Sequence, residues 1–169
     1  YENTLEKYEV TEEEEENLRN LQENITTVNF YPFVEKYITA ENMLVLISVK
    51  DDASSQLTAK DRQKFFDYGL IELSELGHRD SYLAYIDSGS VLHELRAEGE
   101  ESVSVVDVEK RISIKSAGFY AGDISSIKIN GLDYSYNRRG INMVIYDKNT
   151  RSVVEIAWFD TWQNGLEED

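Results

Sequence analysis

The residues best suited to chemistry in this chain are carboxylates standing where strand-like runs end. Asp51 and Asp52 follow the apolar run 43–49 (MLVLISV), while Asp80 and Asp87 bracket a second run, 82–86 (YLAYI). Paired carboxylates at strand ends can serve as the acid and base of a hydrolase or hold a hard divalent cation. They also occur simply as turn formers and helix caps, and spacing alone does not separate these readings. His78 stands next to Arg79 and Asp80, where a carboxylate could hold it as a base; a surface-loop histidine is the plainer reading. His78 and His93 are too few for a histidine-based metal site, and with no cysteine there is neither a thiolate site nor a cysteine nucleophile. No phosphate-cradling glycine loop, H-E-x-x-H or G-x-S-x-G is present.

Aromatic residues mixed with polar ones offer a different chemistry. Eleven Tyr and two Trp are many for this length, and Tyr82, Tyr85, Tyr134, Tyr136, Trp158 and Trp162 alternate with Asn, Arg and Asp. A flat ring beside bidentate polar groups suits a sugar, which presents an apolar C–H face and a rim of hydroxyls. Rings of this kind also fill cores. Asp51, Arg79, Asp80 and Tyr82 are the cluster in which both readings meet.

The elements that must position these groups follow from periodicity. Residues 12–24 read as an acidic helix with a weak apolar stripe. Phe30, Phe33, Val34, Tyr37 and Ile38 lie on one face of a second helix, with Pro32 in its first turn. The run 43–49 predicts a strand buried on both faces. Thr58 and Asp61 predict a capped helix start, and Gly69 a break after it. Residues 82–86 predict a strand turning at Ser88-Gly89, and 94–101 a charged loop. From Val103 onward the period is two, with hairpins at Asn130-Gly131 and 147–150. Mixed helices and strands followed by an antiparallel meander give an α+β class.

Charge and length narrow the partners. The formal net charge of −16 excludes sequence-independent nucleic-acid binding and disfavours anionic membranes. No apolar run approaches the roughly 18 residues of a membrane span, so membrane insertion of this segment is not expected. Nine Glu against Lys7 and Arg19 in residues 1–24 suggest an acidic helical spacer over 1–27. One domain over 28–165 follows, in a chain whose first residue, Tyr1, reads as the start of an excised segment.

Several stretches together resemble the interleukin-like EMT inducer (ILEI/PANDER) domain. These are Ile127-x-Ile129-Asn130-Gly131-x-x-Tyr134-Ser135, Arg139-Gly140-Ile141-Asn142-x-Val144 and Phe159-Asp160-Thr161. Earlier in the chain, Val45-Leu46-Ile47-x-Val49-Lys50-Asp51-Asp52-Ala53 and Leu76-Gly77-x-Arg79-Asp80-Ser81-Tyr82 add to it. The motif order is reversed relative to animal members, as in a circular permutant or a segment cut across neighbouring units, and the animal members' disulfide cysteines are missing. The missing cysteines favour a bacterial relative, in an extracytoplasmic part of a membrane-anchored envelope protein. The resemblance implies two antiparallel β-sheets packed together and flanked by helices. It also implies a non-catalytic, lectin-like carbohydrate-binding module without a cofactor, since a related domain forms the sugar-binding stem of a protein O-mannose N-acetylglucosaminyltransferase. By that resemblance Asp51 accepts sugar hydroxyls and Arg79 donates to them. Asp80 then orients Arg79, and Tyr82, a tryptophan in the family, presents a ring face. The alternatives are a cytokine-like protein-interaction module, or a glycoside hydrolase using Asp51 with Asp80 or Asp87.

Overall fold

The computed structural model describes residues 10–23 and 28–166. The parts of the expected spacer at 1–9 and 24–27 lie outside the described residues. The helices are α1 (Glu12–Glu23), α2 (Phe30–Tyr37), α3 (Ala59–Asp67) and α4 (Ile71–Ser74). The strands are β1 (Met43–Asp51), β2 (Ser81–Asp87), β3 (Ser90–Ala97), β4 (Val103–Asp107), β5 (Ile112–Gly118), β6 (Ile124–Ile129), β7 (Leu132–Asp133), β8 (Gly140–Asp147) and β9 (Ser152–Phe159). Among the described residues, four α-helices with a large multi-stranded sheet are compatible with the α+β class.

β1 organises the fold because both of its faces are covered. Strand side chains alternate, so Val45, Ile47 and Val49 face one way and Leu44 and Leu46 the other. The first set packs with Phe30, Phe33 and Val34 of α2, Phe65 of α3 and Leu73 of α4. The second packs with Ile112 and Ile114 of β5 and Ile127 and Ile129 of β6. Three layers result: helices, a five-stranded arm in the order β3-β2-β1-β8-β9, and a four-stranded arm, β4-β5-β6-β7.

The two arms are not separate sheets. A short parallel bridge pairs Lys50 with Ala117 and Asp51 with Gly118, joining the nine described strands into one sheet. The expectation of two antiparallel β-sheets packed together is corrected by that bridge, which makes the two arms one sheet. So is the expectation of one closing meander: β8 and β9 leave the second arm and pair beside β1. Residues 94–97 are strand rather than loop, since β3 continues to Ala97. As an exposed edge strand, β3 carries charge on its outward positions, and this masks its alternation.

Local chemistry fixes the connections. The Thr58 hydroxyl accepts from Asp61 N and the Asp61 carboxylate from Thr58 N, a complete capping box at the start of α3. Asn130 and Gly131, at φ 54° and 86°, make the tight turn between β6 and β7. The acidic helix α1 lies against the body, with Leu18 and Leu21 packed on the second cluster. Asn17 Nδ2 donates to Val153 O at 3.3 Å. Among the described residues no helix is long and apolar enough to cross a membrane.

Candidate functional site at the end of β1

The chain leaves β1 through Asp51, whose φ of 63° turns it out of the strand. The bridge to β5 sets Gly118 beside it, and the register with β8 sets Gly140, preceded by Arg139, opposite Lys50. Arg79 enters from the loop before β2, also with a left-handed backbone (φ 58°). Three separate stretches therefore meet where β1 ends.

Gly118 explains how Arg79 reaches this place. A Cβ built on Gly118 would overlap the carbonyl oxygen of Arg79, so only glycine admits that approach. The residues that follow, Phe119 and Tyr120, catch the side chain. Arg79 Cζ lies 4.2 Å from the Phe119 ring centroid and 5.0 Å from that of Tyr120. Arg79 Nη1 donates to Tyr120 Oη at 2.8 Å. Both rings remain about half exposed, at 46% and 57%, so each keeps a face open to solvent.

Asp51 lies in the electrostatic field of this cluster. Burial first, and then the Asp123 carboxylate, push its carboxyl above the ordinary range; Arg79 and Arg139 pull it down by less. Arg79 Nε and Asp123 Oδ1 are both buried without a hydrogen-bond partner among the described residues. Arg139 makes a bidentate pair with Asp160, its Nη2 2.7 Å from Oδ2, and stacks 4.2 Å from the Trp162 ring centroid. The Asp160 hydrogen bond raises the Arg139 pKa still further, so its charge is permanent. Arg138 lies 5.0 Å from the ring centroid of Trp158, whose Nε1 donates to Arg139 O.

Of the four residues expected to bind a ligand, Asp51 and Arg79 are the two brought together at this surface. Asp80 is turned inward. Its Oδ2 accepts from Gly77 N at 2.7 Å and from Arg96 Nη1 at 3.1 Å, so its cation is Arg96 and not Arg79. Tyr82 does not present a ring face: it is fully buried, and its hydroxyl donates to Glu94 Oε2 at 2.7 Å. Burial and the Glu94 carboxylate keep that phenol protonated. The half-exposed rings are instead Phe119 and Tyr120, which sequence reasoning missed as partners of Arg79. Their one sequence signal was a pair of aromatics directly after a glycine.

The remaining acids are dispersed. Asp87 pairs with Leu44 at the opposite end of β1, about 20 Å from Asp51 at strand rise, well beyond the spacing of hydrolytic carboxylate pairs. It is bound to Lys148 at 2.6 Å. Asp52 is buried; its Oδ1 accepts from Ser54 N and Oγ. His78 Nδ1 approaches Asp52 Oδ2 to 3.0 Å, off the line of a hydrogen bond. The carboxylate next to His78 is thus Asp52, and not Asp80. Phe159-Asp160-Thr161 ties the end of β9 inward: Phe159 packs edge-on against Phe30, and Thr161 Oγ1 donates to Ala53 O at 2.7 Å.

Among the described residues no three His, Asp or Glu side chains group in a way that could hold a metal ion. No protein-family model, curated protein or solved structure matches the chain.

Proposed function

We propose that the surface at the end of β1 is a carbohydrate-binding site in a non-catalytic, lectin-like module. The observation that carries this reading is the Arg79 guanidinium stacked on two half-exposed rings beside the Asp51 carboxylate. Phe119 and Tyr120 offer apolar faces to sugar C–H groups, Arg79 donates to hydroxyls, and Asp51 accepts from them. Trp162, held by Arg139, widens the platform. The arrangement agrees with the ILEI/PANDER resemblance in its two polar residues and departs from it in the ring. On this reading the domain belongs to a bacterial surface or envelope protein, outside the cytoplasm, and glycans or glycoconjugates are its partners.

A glycan array with the parent chain and Arg79→Ala tests the reading. The parent should retain a defined set of sugars, and the variant should lose them. Its melting temperature should stay close to the parent's, because a cation–π contact this exposed contributes only about 0.5–1 kcal/mol. A parent chain that retains no glycan, or a variant that keeps the same set, removes the reading.

A further inference from the structure

Strand direction gathers five segments at one rim of the sheet. β5 runs parallel to β1, whereas β2 and β8 run against β1, and β9 runs against β8. The residues after β1, β5 and β9 and those before β2 and β8 therefore meet at the end where Asp51 stands. Across that end the register sets Gly118 beside Asp51, Gly140 beside Lys50 and Phe159 beside Ile141. At a strand spacing of about 4.8 Å, the row from β5 through β1 and β8 to β9 spans about 14 Å, longer than one sugar ring.

One chemical unit recurs along this row: a ring braced by a guanidinium. Arg79 with Phe119 and Tyr120 is the first. Arg139 with Trp162 is the second, and Arg138 with Trp158 the third. Trp158 and Trp162 are the two tryptophans of the chain, and at 37% and 42% exposure neither is used up by the core. Of the five exposed Phe, Tyr and Trp side chains among the described residues, only Phe66, on α3, stands apart from the rim. Single exposed aromatics are ordinary, but four gathered along one rim mark a binding surface.

The far end of the row is built in advance. Trp158 Nε1 donates to Arg139 O at 2.9 Å, which holds the indole against the segment carrying both arginines. Arg139 Nε and Nη2 are in turn fixed on Asp160, two residues before Trp162. A Cβ on Gly140 would overlap Phe159 O, so glycine lets β8 and β9 close up where the two units adjoin. Rings and donors set before a ligand arrives lose little freedom on binding. Guanidinium and carboxylate alternate along the row as Arg79, Asp51, Arg139 and Asp160. An uncharged ligand suits that alternation, whereas a chain of one charge would meet like charges.

We infer that the rim is a row of subsites for an uncharged linear oligosaccharide, with Trp158 and Arg138 forming the subsite farthest from Arg79. A ligand of repeating rings matches a surface of repeating ring-and-guanidinium units, one sugar to each. The inference rests on the carbohydrate reading of Asp51 and Arg79 and names the ligand class of that same site.

Isothermal titration with cello-, manno- and chito-oligosaccharides, each from the monosaccharide to the hexasaccharide, tests it. In the series that binds, affinity should rise roughly tenfold or more from monosaccharide to trisaccharide and then level off. Trp158→Ala should lower the trisaccharide-to-monosaccharide affinity ratio by about fivefold, with Trp158→Phe, which keeps a ring, falling between. Arg138→Ala, at an exposed side chain, reads the same subsite without disturbing the sheet and should also lower the ratio. A monosaccharide that binds as tightly as its longer homologues overturns the inference and leaves the carbohydrate reading standing. So does a ratio unchanged in both Trp158→Ala and Arg138→Ala. A chain that melts cooperatively yet binds no member of any series removes the carbohydrate reading and this inference together.

Discussion

Gly118 and Arg79 are placed so closely that a side chain on the first would occupy the space of the carbonyl oxygen of the second. The strand bridge that joins the two arms of the sheet and the arginine of the candidate site therefore depend on one missing Cβ. Substituting Gly118→Ala should cost about 1–3 kcal/mol, because the overlapped atom is backbone and cannot rotate away. Thermal melts measure that cost, and the variant should also lose glycan retention. An alanine variant with parental stability would mean that the backbone gives way easily.

Tyr120→Phe isolates the hydrogen bond to Arg79 from the ring that supports it. At a residue this exposed the change should alter stability by less than about 0.5 kcal/mol. Freed of its tether, Arg79 should bind sugar several-fold more weakly, as isothermal titration with a retained glycan would measure. Parental affinity would show that Tyr120 contributes only its ring.

Arg96→Ala should be among the most damaging surface-adjacent changes. Asp80 is almost fully buried, and Arg96 is its only cation at ion-pair distance among the described residues. Removing one partner leaves an uncompensated buried charge, at a cost of about 3 kcal/mol. Chemical denaturation reads the loss directly. The double variant Arg96→Ala/Asp80→Asn should recover part of it, and no recovery would place the damage elsewhere in the Arg96 carboxylate cluster.

Asp51 gives a pH signature of definite sign. Its carboxyl is raised by burial and by Asp123, so the folded chain holds this proton more tightly than the unfolded chain. The corresponding stability is fully present below the unfolded value of about 3.9 and is lost as pH rises through the folded value. Asp51→Asn should therefore melt above the parent at pH near 7, with the difference closing as pH falls toward about 4. Asparagine is also at ease with φ near 63°. Parallel melts across that range check the sign, and a variant less stable than the parent at neutral pH would refute it. Glycan binding should fall in the same variant, because a carboxylate acceptor is lost.

Tyr82→Phe separates packing from recognition. The ring stays in the core while the Glu94 carboxylate loses one donor, at a cost of about 1 kcal/mol. Glu94 still accepts from Glu72 N and Leu73 N at the start of α4. Glycan retention should be unaffected, and a loss would return Tyr82 to the binding surface.

What the sequence makes legible here is local. Thr58 with Asp61, Gly69 and Asn130-Gly131 announce a cap, a stop and a turn through side-chain or backbone chemistry that acts within a few residues. The nearly continuous apolar run of β1 likewise declares two covered faces before any partner is known. Asp51 and Arg79 stand out by residue type. Their company does not, because Gly118 meets Arg79 only through a parallel bridge between distant strands. Adjacency in sequence pairs Asp80 with Arg79, yet the register of β2 with β3 sets Tyr82 opposite Arg96 and delivers a different cation. Tyr82 and Phe119 are equally aromatic in sequence; layer packing alone decides which one keeps a face in water.

The central position of β1 also bears on how the chain folds. Its strand partners are residues 83–87, 117–118 and 140–147, and its faces pack on α2, α3, β5 and β6, so its edges and faces are completed by segments spread over much of the protein. Few of these contacts are local, and loop closure must precede the stabilisation they bring, which places this domain among the slower folders for its size. During synthesis β1 emerges well before β8 and waits with one apolar edge unpaired until β8 leaves the ribosome. Truncation before residue 147 should leave no smaller folded core, only a chain exposing its most aggregation-prone strand.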